Sequence, residues 1–383
     1  MIETTDTIVT RTGALVPLLR KSAAGAERDR KASPEVLDAL AEAGVFKMTA
    51  PKAFGGYEVD FQTQCDVLAE VARGCPSTSW VATIYSAMSW LVGVFPDEAQ
   101  EEIFATRDPR IAGVFSPTGT ATPNDGGYLV NGRWPFNTGC HGAQWTVLNA
   151  LQESGLPTCV IARSKDLTIL DDWYASGMAA TGSNTVVAEN IFVPRVRTMA
   201  LPEMLEARYP ERHTASNPYY NLPLAPVLTV NAGGTPVGIA RGAMDAFVER
   251  LPGRGITYTT YTNKSEAPVT HLQIAEASLL IESADAHVRR ATAMLDQPRS
   301  EPMSMETRVK SRAHVAYATG LARNAVDILF YASGASSIQD HVPIQRYQRD
   351  IQALANHAIM HPQTGLELYG RVLCGLQPNT LLY

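Results

Sequence analysis

The stretch from Gly132 to Trp145 brings together residue types that can handle a planar ligand. Trp134 and Phe136 alternate along an extended run, and a polar corner of Asn137, Thr138 and Gly139 follows. Strand character resumes at Trp145, Thr146, Val147 and Leu148. A flat aromatic wall, a small hydroxyl and a glycine suit one edge of a planar heterocycle, because glycine lets backbone groups approach a ligand closely. The same residues also suit an ordinary β-corner inside a barrel. The elements around them must decide.

Bulk properties narrow the function classes. The chain has 383 residues, 45% hydrophobic and 18% charged, enough for a large core and more than one folding unit. A formal net charge of -6 argues against nucleic acid or an acidic membrane surface as partner and suits small-molecule chemistry. Cys65, Cys75, Cys140, Cys159 and Cys374 are scattered, without metal-ligand spacing, which fits a reducing, cytoplasmic setting without disulfides or a metal site. The polar start at Met1–Asp6 speaks against a signal peptide. The apolar runs 81–94 and 222–239 are too short, too polar or too interrupted to span a bilayer.

The patterning changes twice along the chain. Residues 1–108 read as helices. Ser33-Pro34-Glu35 is a helix start with a serine cap, Val36, Leu37 and Leu40 form its apolar stripe, and Gly44 is its stop. Asp60 starts a helix that runs to about Arg73, a new cap follows at Gly74–Trp80, and Pro96-Asp97-Glu98 opens a short last helix. Residues 109–200 alternate with period two, as a β-barrel would. Strands are expected at 111–115, 128–130, 145–148, 158–163, 168–170, 186–188 and 191–194, with a hairpin turn at Asn124-Asp125-Gly126-Gly127. A polar connection, 201–224, leads to a four-helix bundle at 225–383, with helices near 234–251, 271–295, 306–333 and 344–376, the last interrupted at His361-Pro362. Ala275, Ala284, Ala313, Ala316 and Gly320 are expected on the buried faces, where small residues permit close helix approach.

This order of helices, barrel and bundle, mostly α overall, resembles the acyl-CoA dehydrogenase superfamily over almost the whole chain. Gly126-Gly127-Tyr128, Gly132-x-Trp134, the Gly177-Met178 loop and the Phe192-Val193-Pro194 exit are similar to that superfamily's β-domain motifs in order and spacing. The dehydrogenases carry a catalytic glutamate in a Tyr-Glu-Gly-Thr type segment, which this chain lacks. Gln345–Ile351 followed by Ala355-Asn356-His357 instead resembles the flavin-dependent monooxygenase branch, as do Thr181–Thr185 and Ser333–Ser337.

The resemblance implies the oxygenase component of a two-component monooxygenase. Such a protein uses reduced FMN (or FAD) and O2, through a C4a-hydroperoxide, to hydroxylate an aromatic or polyketide-derived substrate. It implies a hydrogen bond at flavin N5, for which Thr138 is the candidate and Asn137 the alternative. It implies His357 as the proton-exchanging group, since histidine titrates near neutral pH. A core histidine bonded to a carbonyl is the competing reading, and His141, in a Cys140-His141-Gly142 run that departs from the family pattern, is the rival candidate. Trp134, Trp80, Gly139, Thr181 and Ser183 are expected near the flavin, although lone tryptophans also suit the core. Arg254 is expected at the flavin phosphate, as are Ser333, Gly334, Ala335 and Ser336, the latter segment toward a neighbouring subunit; a surface charge and a plain helix cap are the bland alternatives. Ser116-Pro117 stands where some phenol hydroxylases of the branch have His-Pro, which leaves the substrate less defined. With no dinucleotide fingerprint in the chain, a separate NAD(P)H-dependent flavin reductase is the implied partner. A homotetramer is implied through the bundle. N-oxygenation of an amine or amino sugar, acyl thioester dehydrogenation and a non-catalytic scaffold are the alternative functions.

Overall fold

The computed structural model describes residues 5–299 and 301–383. Met1–Thr4, part of the polar start noted above, lie outside the described residues. Six helices open the chain: α1 (Thr5–Gly13), α2 (Val16–Asp29), α3 (Pro34–Glu42), α4 (Phe61–Gly74), α5 (Pro76–Val92) and α6 (Asp97–Phe104). Asp60 caps α4 as its residue type predicts, with its carboxylate accepting from the Thr63 amide at 2.6 Å. Ser33 occupies the cap position of α3, but its side chain makes no capping bond. Proline in the first turn and Glu35 remain as its start signals. Helix α5 is buried on nearly every face, because it runs between the other layers, and it carries Trp80, Tyr85, Met88 and Trp90.

Seven strands follow: β1 (Ile111–Asn124), β2 (Gly127–Trp134), β3 (Trp145–Gln152), β4 (Pro157–Arg163), β5 (Thr168–Ile169), β6 (Val186–Pro194) and β7 (Thr198–Ala200). They form one sheet in the order β5-β6-β2-β1-β3-β4-β7, in which β1 and β3 run parallel and the other pairs antiparallel. The expected barrel is therefore a curled sheet whose end strands, β5 and β7, are not hydrogen-bonded to each other. The period-two pattern divides β3 and β4 between two cores. Trp145, Val147, Cys159 and Ile161 join the large core shared with both helical layers. Leu148, Ala150, Val160 and Ala162 face the interior of the curl with Val114, Val130 and Trp134. Two motifs about 65 residues apart turn out to be ladder partners, Gly127 opposite Pro194 and Leu129 opposite Phe192. Strand β1 is much longer than 111–115, and its register against β3 shifts between Val114 and Gly119, which leaves Ser116 and Pro117 exposed.

The connection after the sheet contains a short helix, α7 (Leu201–Leu205), and α8 (Leu224–Asn231) precedes the bundle. The bundle helices are α9 (Gly234–Val248), α10 (Pro268–Asp296), α11 (Met305–Ser333), α12 (Ile344–Ala355) and α13 (Pro362–Leu373). Small residues form the α10–α11 seam: Ala284, Ala313 and Ala316 are buried as expected, and Gly320 is half-buried. Ala277, Ala284 and Ala291 are buried seven residues apart, whereas Ala275 is exposed. The fourth expected helix is two helices, and His361 caps the second by accepting from the Thr364 amide. His357 therefore lies in the corner between them. No helix among the described residues is long and apolar enough to cross a membrane.

Candidate functional site

The polar corner and the Gly177–Thr185 loop, far apart in sequence, meet through a chain of hydroxyls. Thr181 donates from Oγ1 to the Met178 carbonyl at 2.8 Å, Thr181 and Ser183 share a contact of 2.7 Å, and Ser183 and Thr138 share one of 2.8 Å. Each hydroxyl has one proton. The Thr181 proton is committed to Met178, so Ser183 must donate to Thr181 and Thr138 must donate to Ser183. The chain is polarised, and Thr138 keeps only accepting lone pairs for a further partner. All three side chains are buried.

Beside this chain stand polar atoms without partners and an exposed aromatic ring. Asn137 is completely buried, yet neither Nδ2 nor Oδ1 has a partner, an arrangement that costs roughly 1–3 kcal/mol per group when left unpaired. Phe136 stands at φ 62°, outside the usual range for a residue with a side chain, and is 68% exposed. The edge of Trp173 meets its ring at 5.7 Å, and the Trp173 indole donates to the Ala179 carbonyl, tying that second aromatic to the same loop. These orphaned amide atoms, the accepting hydroxyl and the open aromatic face fit one edge of a flavin.

Two expected flavin contacts take structural places instead. Trp134 is fully buried in the interior of the curl, where its indole donates to the Asn149 carbonyl at 2.8 Å. The last inward position of β2 demands an apolar side chain, so the exposed aromatic wall is Phe136 with Trp173. Gly139 has φ 76°, and a Cβ there would lie 2.8 Å from the Tyr85 ring. The glycine admits Tyr85, whose hydroxyl donates to the Gly139 carbonyl at 2.5 Å. His141 is held by Asn184, Nε2 to Oδ1 at 2.9 Å, while the Asn184 amide donates to Leu170. Asn184 thus fixes the His141 ring within the loop framework.

Trp80 and His357 are brought together, ring to ring, at 4.9 Å in an edge-on arrangement. His357 is exposed by residue area, and its ring packs on the Trp80 indole. Loss of solvation lowers its pKa to about 4, so the ring is neutral at pH 7. The Ile359 amide approaches Nδ1 at 3.5 Å, which assigns the proton of the neutral ring to Nε2. Helix α5 links this pair to the hydroxyl chain, since it carries both Trp80 and Tyr85 and packs on the 179–181 turn. Helix α12 links them a second time. Its Asp350, buried and seven residues before His357, accepts from the Met178 amide at 2.5 Å. In the sequence Asp350 stands only within the Gln345–Ile351 motif; the signal that marks it is a carboxylate on the buried face of an amphipathic helix.

Arg254 lies elsewhere. It shares a pocket with Phe247, Arg250, Leu251, Lys264 and Ser333, and its guanidinium donates to Ser336 at 3.4 Å. Gly334, with φ 77°, ends α11, and Ala335 begins the turn that places Ser336. Burial and then the charge of Arg254 lower the pKa values of Lys264 and Arg250. No carboxylate among the described residues pairs with these three cations. The pocket is lined by three cations, and among the described residues no hydrogen bond joins it to the Thr138 chain.

Comparison with known proteins shows the family. Residues 18–107 match the acyl-CoA dehydrogenase N-terminal domain and residues 231–362 the acyl-CoA dehydrogenase C-terminal domain. The chain is 33% identical over 377 residues to the flavin-dependent monooxygenase oxygenase subunit HsaA of Rhodococcus jostii, covering 96% of this chain and 98% of that protein. It is 30% identical to an FADH2-dependent resorcinol hydroxylase, oxygenase component, of a Rhizobium species, with 97% and 95% covered. The crystal structure of the 3-HSA hydroxylase from Rhodococcus sp. RHA1 superposes with a TM-score of 0.90 at 32% identity, over 99% of this chain and 100% of that one. The chain belongs to the acyl-CoA dehydrogenase superfamily, in its branch of flavin-dependent monooxygenase oxygenase components.

Proposed function

We propose that this protein is the oxygenase component of a two-component flavin monooxygenase that hydroxylates an aromatic or polyketide-derived substrate. The observation that carries the reading is the polarised hydroxyl chain ending on Thr138, beside the unpaired Asn137 amide and the open face of Phe136. Thr138 has an acceptor to offer, and the N5–H of a reduced flavin is a donor; oxidised flavin has no proton there. The bound reduced flavin would supply the electrons that place one oxygen atom of O2 in the substrate and release the other as water.

The residues of this chain then have distinct tasks. Thr138 holds the N5 proton, and Asn137 pairs with the polar rim of the ring. Trp80 and the neutral His357 stand ring to ring, and the His357 Nε2–H donates a hydrogen bond to the substrate. Ser116, on the exposed bulge of β1, offers a neutral hydroxyl to the substrate. Arg254, Arg250, Lys264 and Ser333 take the flavin phosphate, of FMN or of FAD, from a neighbouring subunit of a homotetramer. The exposed Leu272, Leu279, Tyr317 and Tyr331 on α10 and α11 support such an assembly. A separate NAD(P)H-dependent reductase supplies the reduced flavin.

The test is anaerobic titration with reduced FMN and reduced FAD, followed by oxygen and a panel of phenols and polyketide-derived quinols. Binding of a reduced flavin and hydroxylated product are expected. A protein that binds neither flavin, in either redox state, would refute the reading.

A further inference from the structure

The hydroxyl chain has an origin that the proposed chemistry leaves unused. Its last acceptor, the Met178 carbonyl, belongs to a residue at φ 55°, a conformation a side-chain-bearing residue adopts reluctantly. Something must hold it there. The Met178 amide donates to Asp350 Oδ1 at 2.5 Å, across 172 residues of chain. The partner oxygen, Oδ2, is buried and without a partner, so this single amide is the carboxyl group's bond to its surroundings. Helix α12 clamps the turn twice more. Arg349 donates from Nη1 to the Ser176 carbonyl at 2.6 Å, and a Cβ on Gly177 would lie 2.2 Å from the Arg349 carbonyl oxygen.

We propose that Asp350 is a positioning residue: by accepting from the Met178 amide it fixes the 176–181 turn, and through it the direction of the Thr181–Ser183–Thr138 hydroxyl chain. This rests on the reading that Thr138 faces flavin N5. With the turn fixed, the Met178 carbonyl accepts from both the amide and the hydroxyl of Thr181, at 3.1 and 2.8 Å. Without Asp350 the Met178 amide is buried and unpaired, the strained turn relaxes, and the Thr181 hydroxyl is free to rotate. The chain can then reverse, and Thr138 would present a proton where a lone pair is needed. The consequence is redox selectivity: an accepting Thr138 favours reduced flavin, and a donating one favours oxidised flavin.

Burial raises the Asp350 pKa to about 7, Glu27 of α2 adds to that, the Met178 amide with Arg349 and Arg346 of α12 opposes it, and the Cys75 thiol before α5 lies near; in either protonation state a carboxyl oxygen remains to accept from Met178. Glu27 is itself engaged by both arginines, at 2.9 and 2.6 Å.

The experiment measures the ratio of dissociation constants for oxidised and reduced FMN, equivalently the potential of bound flavin, in wild type, Asp350→Ala, Asp350→Asn and Thr181→Val. Asp350→Ala and Thr181→Val should lower the ratio about fivefold to tenfold, the size of one uncharged hydrogen bond. Asp350→Asn keeps an acceptor for Met178 and should restore the wild-type ratio. An unchanged ratio in Asp350→Ala would overturn the proposal, as would an Asp350→Asn protein as altered as Asp350→Ala. If Asp350→Ala does not fold, the other two variants decide, and an unchanged ratio in Thr181→Val overturns it. Failure of the wild type to bind any flavin would instead sink the functional reading beneath it.

Discussion

Arg254→Ala separates the phosphate pocket from the ring site. In the folded protein Arg254 shares its pocket with Arg250 and Lys264, and its side-chain bond to Ser336 is long at 3.4 Å. Its removal relieves like-charge repulsion on both neighbours, so folding stability should change by no more than about 0.5 kcal/mol. A charge-assisted hydrogen bond to phosphate is worth roughly 1.5–3 kcal/mol, or about 10- to 150-fold in affinity. Arg254 is exposed and two other cations remain, so the lower end applies, near tenfold at low salt and less as salt rises. Fluorescence titration with FMN and with riboflavin, which has no phosphate, isolates the term. FMN affinity should fall about tenfold in the variant, and riboflavin affinity should not move. Equal losses for both ligands, or no loss for FMN, would refute a phosphate role for this pocket.

Two further outcomes test the two walls of the site. Desolvation holds the folded His357 near pKa 4, below its ordinary 6.5, so the unfolded chain binds a proton between those values and the folded chain does not. The His357 contribution to stability is therefore full above pH 6.5 and is lost as pH falls towards 4; the difference in melting temperature between wild type and His357→Gln should change across that window, and a constant difference would contradict the desolvation of His357. Gly139→Ala places a Cβ 2.8 Å from the Tyr85 ring at φ 76°, and the combined strain and overpacking should destabilise the protein by about 3 kcal/mol in urea unfolding, with a loss under 1 kcal/mol counting against the Tyr85 contact.

Much of the architecture was legible because it is written in local pattern. The two changes of period, the Asn124–Gly127 hairpin and the Asp60 cap need only neighbouring residues. What failed were features set by distant partners. Alternation along β2 identified Trp134 as one of two aromatics on a wall, but only the curl of the sheet decided that it points inward and Phe136 outward. The small-residue pattern announced a tight bundle, yet the α10 register, with Ala277 in and Ala275 out, depended on which face α11 took. Trp173 and Asp350 were passed over because their meaning lies in contacts with Phe136 and Met178 across 37 and 172 residues, respectively.

The sequence by itself determined the order of layers, the branch of the superfamily and the supply of hydroxyl, amide and imidazole groups. Residue types and their periodicity are properties of the chain. Tertiary structure alone decided the direction of the hydroxyl chain. That direction depends on which group takes the first proton, and the group is the Met178 carbonyl, held in place by a carboxyl group on a helix far along the chain. A serine or threonine in sequence is equally donor and acceptor; only its packed neighbours make it one or the other.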